Sequence, residues 1–192
     1  MQIHVTKKTQ LQTNTWQGGT TKQLCIYPEG AVYKNLDFIF RISTATIDVE
    51  QSAFTVLPSV ARDLMLLTGE MVITHKGHHT KQLKKFDTDS FKGDWETTSM
   101  GKATDFNIMT RGNAKAHVKG FTLPEKANKE LVLASDVIAI YVYRGEVRVE
   151  QPTIKTILQE GDVALIYKQS INEAFSLHGL RTAEVAIAQI YL

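Results

Sequence analysis

The chain has 192 residues, of which 43% are hydrophobic, and its 22 basic and 20 acidic residues leave a formal net charge of +2. This is the composition of a soluble globular protein with one large or two small domains. The balanced charge predicts no nucleic-acid partner, which would need clustered Lys and Arg. With one cysteine, Cys25, the chain cannot form an internal disulfide. Because no apolar run is long enough to span a membrane and no signal segment opens the chain, we expect a cytoplasmic protein with no membrane partner.

Strand patterns dominate the chain, in runs rich in β-branched and aromatic residues at 38–47, 64–73, 137–149, 163–167 and 182–191. Turns that contain glycine separate them, at 68–70, 76–78, 92–94, 144–146 and 160–162. Residues 124–134 fit either a short helix or a strand. Many short strands with frequent glycine turns predict an all-β sandwich or barrel.

Two turn motifs occur in the same order in each half of the chain. Gly69-Glu70 precedes Gly93-Asp94, and Gly145-Glu146 precedes Gly161-Asp162. Glycine supplies the positive φ of tight turns, and the acidic neighbour accepts hydrogen bonds from turn amides. Any antiparallel β protein contains such turns, but their repeated order favours a duplication. The glycines lie 24 residues apart in the first half and 16 in the second, which predicts an insertion in the first copy. We place the domain boundary at Gly112, giving domains 1–112 and 113–192.

Arg41 is the first candidate for a binding site. By strand alternation it shares a face with Ile39, Ser43 and Ala45. An arginine that points into a barrel needs a partner, because burying a lone charge is costly. A carboxylate ligand would suit its planar fork. The alternatives are an internal ion pair with an acid such as Asp105, or a place on the outer face.

Arg62 and the 105–109 segment supply further polar candidates. Arg62 is either a second anion contact or a surface arginine. Asp105, Asn107 and Met109 alternate on one face, so they are pocket groups if that face is internal and solvated groups if it is external.

The segment 16–21 combines an aromatic ring, two glycines and two threonines. Gly18 and Gly19 would let the backbone approach a neighbour or a ligand closely, and the hydroxyls of Thr20 and Thr21 can donate to it. Trp16 is either a pocket wall or a core residue, and the usual burial of large aromatic side chains favours the core.

The histidines do not form the pattern of a metal site inside a β-barrel, in which two histidines at alternate positions of one strand point to the same face. No His-x-His occurs. His75, His78 and His79 cluster, but 76–78 is typical of an exposed hairpin tip. We therefore expect surface histidines, no metal and no cofactor. Cys25 lies in an apolar stretch that favours a small buried residue over a nucleophile.

Five segments of the chain resemble the HutD/Ves family of bicupins: 14–21, 38–45, 54–62, 91–94 and 105–111. They follow the family order and cover roughly the first 110 residues. The resemblance implies two jelly-roll cupin domains formed by a degenerate repeat, a pocket in the first domain, and a homodimer. It also implies a regulatory, ligand-binding role in histidine utilisation, with an acidic histidine-breakdown intermediate as one candidate ligand.

Residues and resemblance together predict that the first domain binds a small carboxylate metabolite. The predicted contacts are Trp16, Gly18, Gly19, Thr20, Thr21, Arg41, Ser43, Arg62, Asp105, Asn107 and Met109. One alternative is a metal-independent isomerase or lyase that anchors a small acid on Arg41 and uses Asp105 or a nearby acid as its base. Another is an interaction protein with a vestigial pocket.

Overall fold

The computed structural model describes residues 2–151, 154–168 and 174–192, which form an all-β structure of antiparallel sheets. Within these ranges there are two short 3-10 turns, Lys8–Gln10 and Tyr33–Asn35, and no α-helix. No helix in the described part of the chain has the length and apolar character of a membrane span. The strands are β1 (Gln2–Thr6), β2 (Thr13–Trp16), β3 (Gly19–Tyr27), β4 (Phe40–Ile47), β5 (Gln51–Ala53), β6 (Val60–Gly69), β7 (Met71–His75), β8 (Thr80–Leu83), β9 (Thr88–Lys92), β10 (Thr97–Met100), β11 (Ala103–Arg111), β12 (Lys115–Leu123), β13 (Asn128–Val132), β14 (Val137–Arg144), β15 (Glu146–Gln151), β16 (Ile154–Gln159), β17 (Val163–Tyr167), β18 (Ala174–Gly179) and β19 (Ala183–Tyr191).

The chain divides into two compact units. The N-terminal unit is Gln12–Val118, and the C-terminal unit joins Lys119–Tyr191 to the first eleven residues. The predicted domains, 1–112 and 113–192, therefore differ from these units in two places. The first eleven residues belong to the C-terminal unit, and the N-terminal unit extends to Val118. The first strand, β1, pairs antiparallel with β17, which the local sequence does not reveal. The division falls within β12, a strand that starts at Lys115, three residues after Gly112.

Each unit contains two antiparallel sheets with the same strand order at their centres. The larger sheets run β9-β6-β11-β4 in the N-terminal unit and β17-β14-β19-β12 in the C-terminal unit. The smaller sheets run β5-β10-β7-β8 and β13-β18-β15-β16. The ambiguous residues 124–134 include the strand β13. The N-terminal unit adds the β2–β3 hairpin beyond β4, and the C-terminal unit adds β1 beyond β17.

Gly69 and Gly145 occupy the same place in the two units. Each has φ of +82° and separates a long central strand from the next strand. A Cβ at Gly69 would lie 2.4 Å from the Lys102 carbonyl oxygen, and one at Gly145 would lie 2.2 Å from that of Thr182. Both carbonyls immediately precede the last long strand of their unit, β11 or β19. Glycine is therefore needed both for its positive φ and for the close approach of the two strands.

The second glycine of the predicted repeat has no glycine counterpart. Gly161 lies in the β16–β17 turn, where its amide donates to the Val142 carbonyl at 2.7 Å. In the N-terminal unit the β8–β9 turn places Phe86 there, with φ of +67°, and its amide donates to the Leu66 carbonyl at 2.7 Å. Gly93 lies beyond β9. The predicted equivalence of Gly93 with Gly161, and the insertion inferred from it, were therefore wrong.

When the two units are aligned on these turns, β6 corresponds to β14 and β11 corresponds to β19. The register of β6 with β11 then agrees with that of β14 with β19. In both strand pairs the register shifts once, one or two residues after the glycine contact. Polar residues of the N-terminal unit then correspond to apolar residues of the C-terminal one: Arg62 to Ile138, Asp105 to Val185, and Asn107 to Ile187. These three apolar side chains belong to the hydrophobic core of the C-terminal unit. The units therefore share a topology but fill their interiors differently.

The glycine contact can be tested with two alanine variants of similar φ. A Cβ at Gly77, with φ of +78°, would have nothing within 4 Å, whereas one at Gly69 would overlap a backbone oxygen. Left-handed backbone costs an ordinary residue about 1–2 kcal/mol, so Gly77→Ala should lose roughly that much free energy of unfolding. We expect Gly69→Ala to lose at least about twice as much in urea unfolding, since overlap adds to the conformational cost. Equal losses would mean that the strands can separate freely.

Asp162 ties the start of the chain to the C-terminal unit. Its buried carboxylate accepts hydrogen bonds from Lys7 Nζ at 2.8 Å, the Lys8 amide at 3.0 Å and the Gln159 amide at 3.0 Å. Burial by itself raises the pKa of Asp162, but these hydrogen bonds together outweigh it and leave the pKa below its ordinary value. Asp87, at the equivalent turn position, is exposed and accepts from the Lys84 amide at 3.0 Å.

We expect Asp162→Asn to destabilise the protein at neutral pH. Because the folded-state pKa lies below the unfolded one, the carboxylate stabilises above about pH 4 and loses its effect as pH falls through the folded value. The difference in thermal stability between wild type and Asp162→Asn should therefore shrink in acid. Asp87→Asn is the matched control and should have little effect at either pH. A loss that is the same at all pH values would exclude the charge as its cause.

Candidate functional site

The N-terminal unit contains a cavity of about 600 Å³. Its walls come from the β2–β3 hairpin, from β4, β6 and β11, and from the segments 32–34 and 52–55. Eight of the eleven predicted site residues line it: Trp16, Thr21, Arg41, Ser43, Arg62, Asp105, Asn107 and Met109. Trp16 is 38% exposed, so the expectation of a core position was wrong.

Gly18, Gly19 and Thr20 do not line the cavity. A Cβ at Gly19 would lie 1.9 Å from the Thr46 carbonyl oxygen, so this glycine lets β3 approach β4. A Cβ at Gly18 would overlap the Trp16 ring at 2.1 Å. Thr20 pairs in register with Thr46, one residue out of phase with the cavity-lining Thr21. These three residues shape the hairpin, and their predicted contact with a ligand has no support in this geometry.

Arg41 lies on β4 and is only 5% exposed. Its Nε donates to Gln23 Oε1 at 2.8 Å, and its Nη1 donates to Ser43 Oγ at 3.1 Å. The guanidinium carbon lies 4.3 Å from the centroid of the Tyr33 ring. Burial lowers the pKa of Arg41 below its ordinary value. No carboxylate of a described residue forms an ion pair with it, so the alternative in which Arg41 pairs with Asp105 is not what the structure shows.

A second arginine lies in the same row of the sheet. Met109 on β11 is the register partner of Arg41 on β4 and of Arg62 on β6. Two guanidinium groups therefore flank one methionine across three adjacent strands. This grouping depends on the pairing of strands that are far apart in the sequence.

Arg62 is also buried, and it is surrounded by rings. It is 5% exposed, and its guanidinium carbon lies 4.9 Å from the Phe54 centroid and 5.1 Å from that of Phe91. Its Nε has no hydrogen-bond partner among the described groups. Burial lowers the pKa of Arg62 to about 10, although the nearby Asp105 carboxylate favours the charged form. Arg62 therefore remains a cation at neutral pH, without an ion pair among the residues described.

Asp105 and Asn107 bring two further polar groups to the cavity. They are 2% and 5% exposed, and the Oδ1 atom of each lacks a hydrogen-bond partner in the described structure. Burial raises the pKa of Asp105 to about 7, against the opposing effects of the Arg62 charge and a backbone hydrogen bond from Ala45. This carboxyl group can therefore exchange a proton close to neutral pH.

Sequence reasoning missed three cavity residues with clear roles. Gln23 follows Thr21 at a spacing of two on β3, so the same alternation that grouped Asp105 with Asn107 could have found it. Tyr33 starts a 3-10 turn and has no strand pattern to place it. Phe54 contacts Arg62 only because two distant segments meet.

Cys25 and His75 lie outside this cavity. Burial raises the pKa of the Cys25 thiol to about 12, which makes it a poor nucleophile. His75 was expected at the surface, but it is 1% exposed, because it ends β7 with its ring 4.4 Å from that of Phe91. The expectation of surface histidines fits His78, which is exposed, and His79, whose side chain is 39% exposed.

Comparison with solved structures places the fold among cupin-type proteins. A conserved protein of unknown function from Pseudomonas aeruginosa PAO1 is 16% identical over 100% of both chains, with a TM-score of 0.87. HutD from Pseudomonas fluorescens SBW25 is 18% identical over 99% of this chain and 98% of its own, with a TM-score of 0.75. A bacterial pirin from Escherichia coli in complex with nickel(II) is 10% identical over 98% of each chain, with a TM-score of 0.71.

A search of curated proteins found no match. The HutD family model, in contrast, matches residues 8–186. This range includes both repeats and every residue of the cavity. The chain therefore belongs to the HutD family.

Proposed function

We propose that this protein is a bicupin that binds a small carboxylate metabolite in its N-terminal unit and acts as a regulator in histidine utilisation. The observation that carries the proposal is the pair of buried arginines, Arg41 and Arg62, neither of which has a carboxylate partner among the described residues. Burying an unpaired charge costs several kcal/mol. An anionic ligand between the two guanidinium groups would offset that cost.

The C-terminal unit supports this reading, because it shows that the fold does not need the polar interior. Where the N-terminal unit has Arg62 and Asp105, the C-terminal unit has Ile138 and Val185 in a continuous apolar core. Buried polar side chains that do not stabilise the fold are expected to serve a ligand. The open interior also lies beside the β2–β3 hairpin, which has no counterpart beyond β12 among the described residues of the C-terminal unit.

The surroundings of Arg41 favour a carboxylate group over other ligands. Gln23 and Ser43 each accept one of its five N–H donors, and Tyr33 covers one face of the guanidinium. The group is thus oriented before a ligand arrives, which reduces the entropy lost on binding. Its remaining donors suit two carboxylate oxygens held side by side. Asn107 and protonated Asp105 would add neutral hydrogen bonds.

The cavity is larger than one carboxylate group requires. Its volume of about 600 Å³ is that of a typical metabolite site, and Trp16, Tyr33 and Phe54 give it aromatic walls. This favours an acid with a planar body, such as an acidic intermediate of histidine breakdown. The structure of the related HutD from Pseudomonas fluorescens was determined in a formate condition, and formate is the smallest carboxylate.

A second candidate function is catalysis by a metal-independent isomerase or lyase. The observation that favours it is the pKa of about 7 that burial gives Asp105 inside the cavity. A carboxylate that titrates near the working pH is suited to proton transfer. Arg41 would then anchor the acid and Asp105 would take its proton. Binding without turnover supports the regulator, and turnover supports the enzyme.

Two further proposals carry over from the sequence: the cellular location rests on the composition of the chain, and the oligomeric state rests on the family resemblance. We propose that the protein acts in the cytoplasm and that it forms a homodimer. Sedimentation of the purified chain measures the second directly.

Arg41→Gln should weaken binding of the acid by about 10–100-fold, because a hydrogen bond to a charged group contributes about 1.5–3 kcal/mol and 1.4 kcal/mol is one decade. Calorimetry would use formate, short dicarboxylates and histidine-pathway acids. Arg144→Gln, an exposed arginine of the C-terminal unit, removes the same charge and should leave affinity unchanged. If both variants bind as wild type does, Arg41 is not in the site. If wild type binds none of these acids, the pocket is vestigial or its ligand belongs to another class.

Binding should also weaken as pH rises from about 6 to 8. Asp105, with its pKa of about 7, is neutral at the lower pH and negative at the higher one, where it repels an anionic ligand. The Arg62 charge beside it and the Arg41 charge elsewhere in the cavity stay positive across this range and give no comparable slope. Asp105→Asn should flatten the profile. A wild-type affinity that does not vary with pH would mean that Asp105 does not contact the ligand.

A further inference from the structure

A second polar cluster lies in the N-terminal unit, outside the cavity. His75 at the end of β7, His79 just before β8 and Asp89 on β9 bring three ligand atoms within 4.8 Å of one another. His75 Nε2 is 2.9 Å from Asp89 Oδ2, and His79 Nε2 is 3.1 Å from Asp89 Oδ1. None of the three residues lines the carboxylate cavity.

The backbone fixes the two histidines opposite each other. The His75 amide donates to the His79 carbonyl at 2.8 Å, which closes a five-residue turn. Gly77, with φ of +78°, supplies the left-handed residue of this turn. The His75 and His79 rings are 4.5 Å apart, while the intervening His78 stacks on Trp95 at 3.8 Å and points to neither. The turn therefore brings the His75 and His79 rings together and directs the His78 ring away from them.

His75 also has the outer partner that a metal-bound histidine requires. Its Nδ1 lies 2.8 Å from Thr97 Oγ1, and Thr97 Oγ1 lies 3.1 Å from the Trp95 carbonyl oxygen. If the hydroxyl proton goes to Trp95, Thr97 accepts from Nδ1–H and the Nε2 lone pair faces Asp89. Metal-ligating histidines almost always donate their other ring N–H to such a partner.

The C-terminal unit shows that the fold does not require this cluster. Asp89 pairs with Leu64, and at the equivalent pairing the C-terminal unit has Ala164 opposite Ile140. Ala164 is fully buried in that unit's hydrophobic core. A buried aspartate with two histidines is thus an addition to the fold, in the same way as the cavity residue Arg62.

We propose that His75, His79 and Asp89 bind a divalent transition-metal ion of the zinc type. Two imidazoles and a carboxylate are ligands that suit Zn²⁺, whereas Mg²⁺ and Ca²⁺ prefer oxygen alone. Bonds of about 2.0–2.2 Å in a tetrahedral site set the ligand atoms roughly 3.4 Å apart. The two contacts with Asp89 are already close to that spacing. His79, with its side chain 39% exposed, can move to complete the set and leaves a fourth position open to solvent.

The test is a calorimetric titration of Zn²⁺ into the tag-free chain of 192 residues after treatment with chelator. We expect one ion per chain. Co²⁺ should give the visible absorption of a tetrahedral ion, which reports the geometry directly in the wild type. Mg²⁺ should not compete. Absence of Zn²⁺ binding, or equal binding of Mg²⁺, would overturn the proposal.

The ligands are assigned with variants at the partly exposed His79, at its exposed neighbour His78 and at the buried Thr97. His79→Ala should weaken Zn²⁺ binding by more than the roughly 10–100-fold that outer partners contribute. Thr97→Val should fall within that range. His78→Ala, one residue away on the same turn, is the control and should bind as wild type does. Unchanged affinity in His79→Ala, or an equal loss in His78→Ala, would overturn the three-residue site. Arg41→Gln should bind Zn²⁺ normally, so this result stands apart from the carboxylate proposal.

Discussion

The close approach of a left-handed glycine to the neighbouring strand fixes the register on which the rest of each unit depends. Gly69 lies against the backbone that begins β11, and Gly145 lies in the same way against β19. Each contact is followed by one shift in register along the central strand pair. Since a slip of one residue turns every side chain of a strand to the opposite face, this contact decides what points inward. The register that this contact sets turns Asp105 and Asn107 toward the cavity.

Given one register, the two units use their interiors in different ways. The C-terminal unit fills its interior with apolar side chains, as a stable sandwich requires. The N-terminal unit keeps an apolar cluster around Leu64 and Leu66, and it places its arginines and carboxylates beside that cluster. The two units thus differ at equivalent positions, where the C-terminal interior is apolar and the N-terminal interior carries polar groups.

The charges of the buried side chains in the cavity limit which ligand the proposed site would bind. Arg41 is held by hydrogen bonds and by an aromatic face, and Arg62 is enclosed by rings, so neither can turn to solvent without disrupting its contacts. Asp105 offsets part of this charge only when it is ionised, and its pKa of about 7 makes that balance sensitive to protons. Under the function proposed above, an anionic ligand would satisfy both arginines at either protonation state of Asp105.

The sequence by itself determined the all-β class, the family, the Gly-Glu turns and eight of the residues that line the cavity, because strand alternation and left-handed glycines are local properties. Strand alternation predicted which residues share a strand face with Arg41, and it put Asp105 and Asn107 on one face, but it did not predict which face points into the interior. Only the tertiary structure put Phe86 where the repeat expects glycine, and buried His75 beside a carboxylate fourteen residues later in the chain. These features depend on which distant strands pair, and a residue whose conformation is imposed by its neighbours in space carries no signal in its own segment.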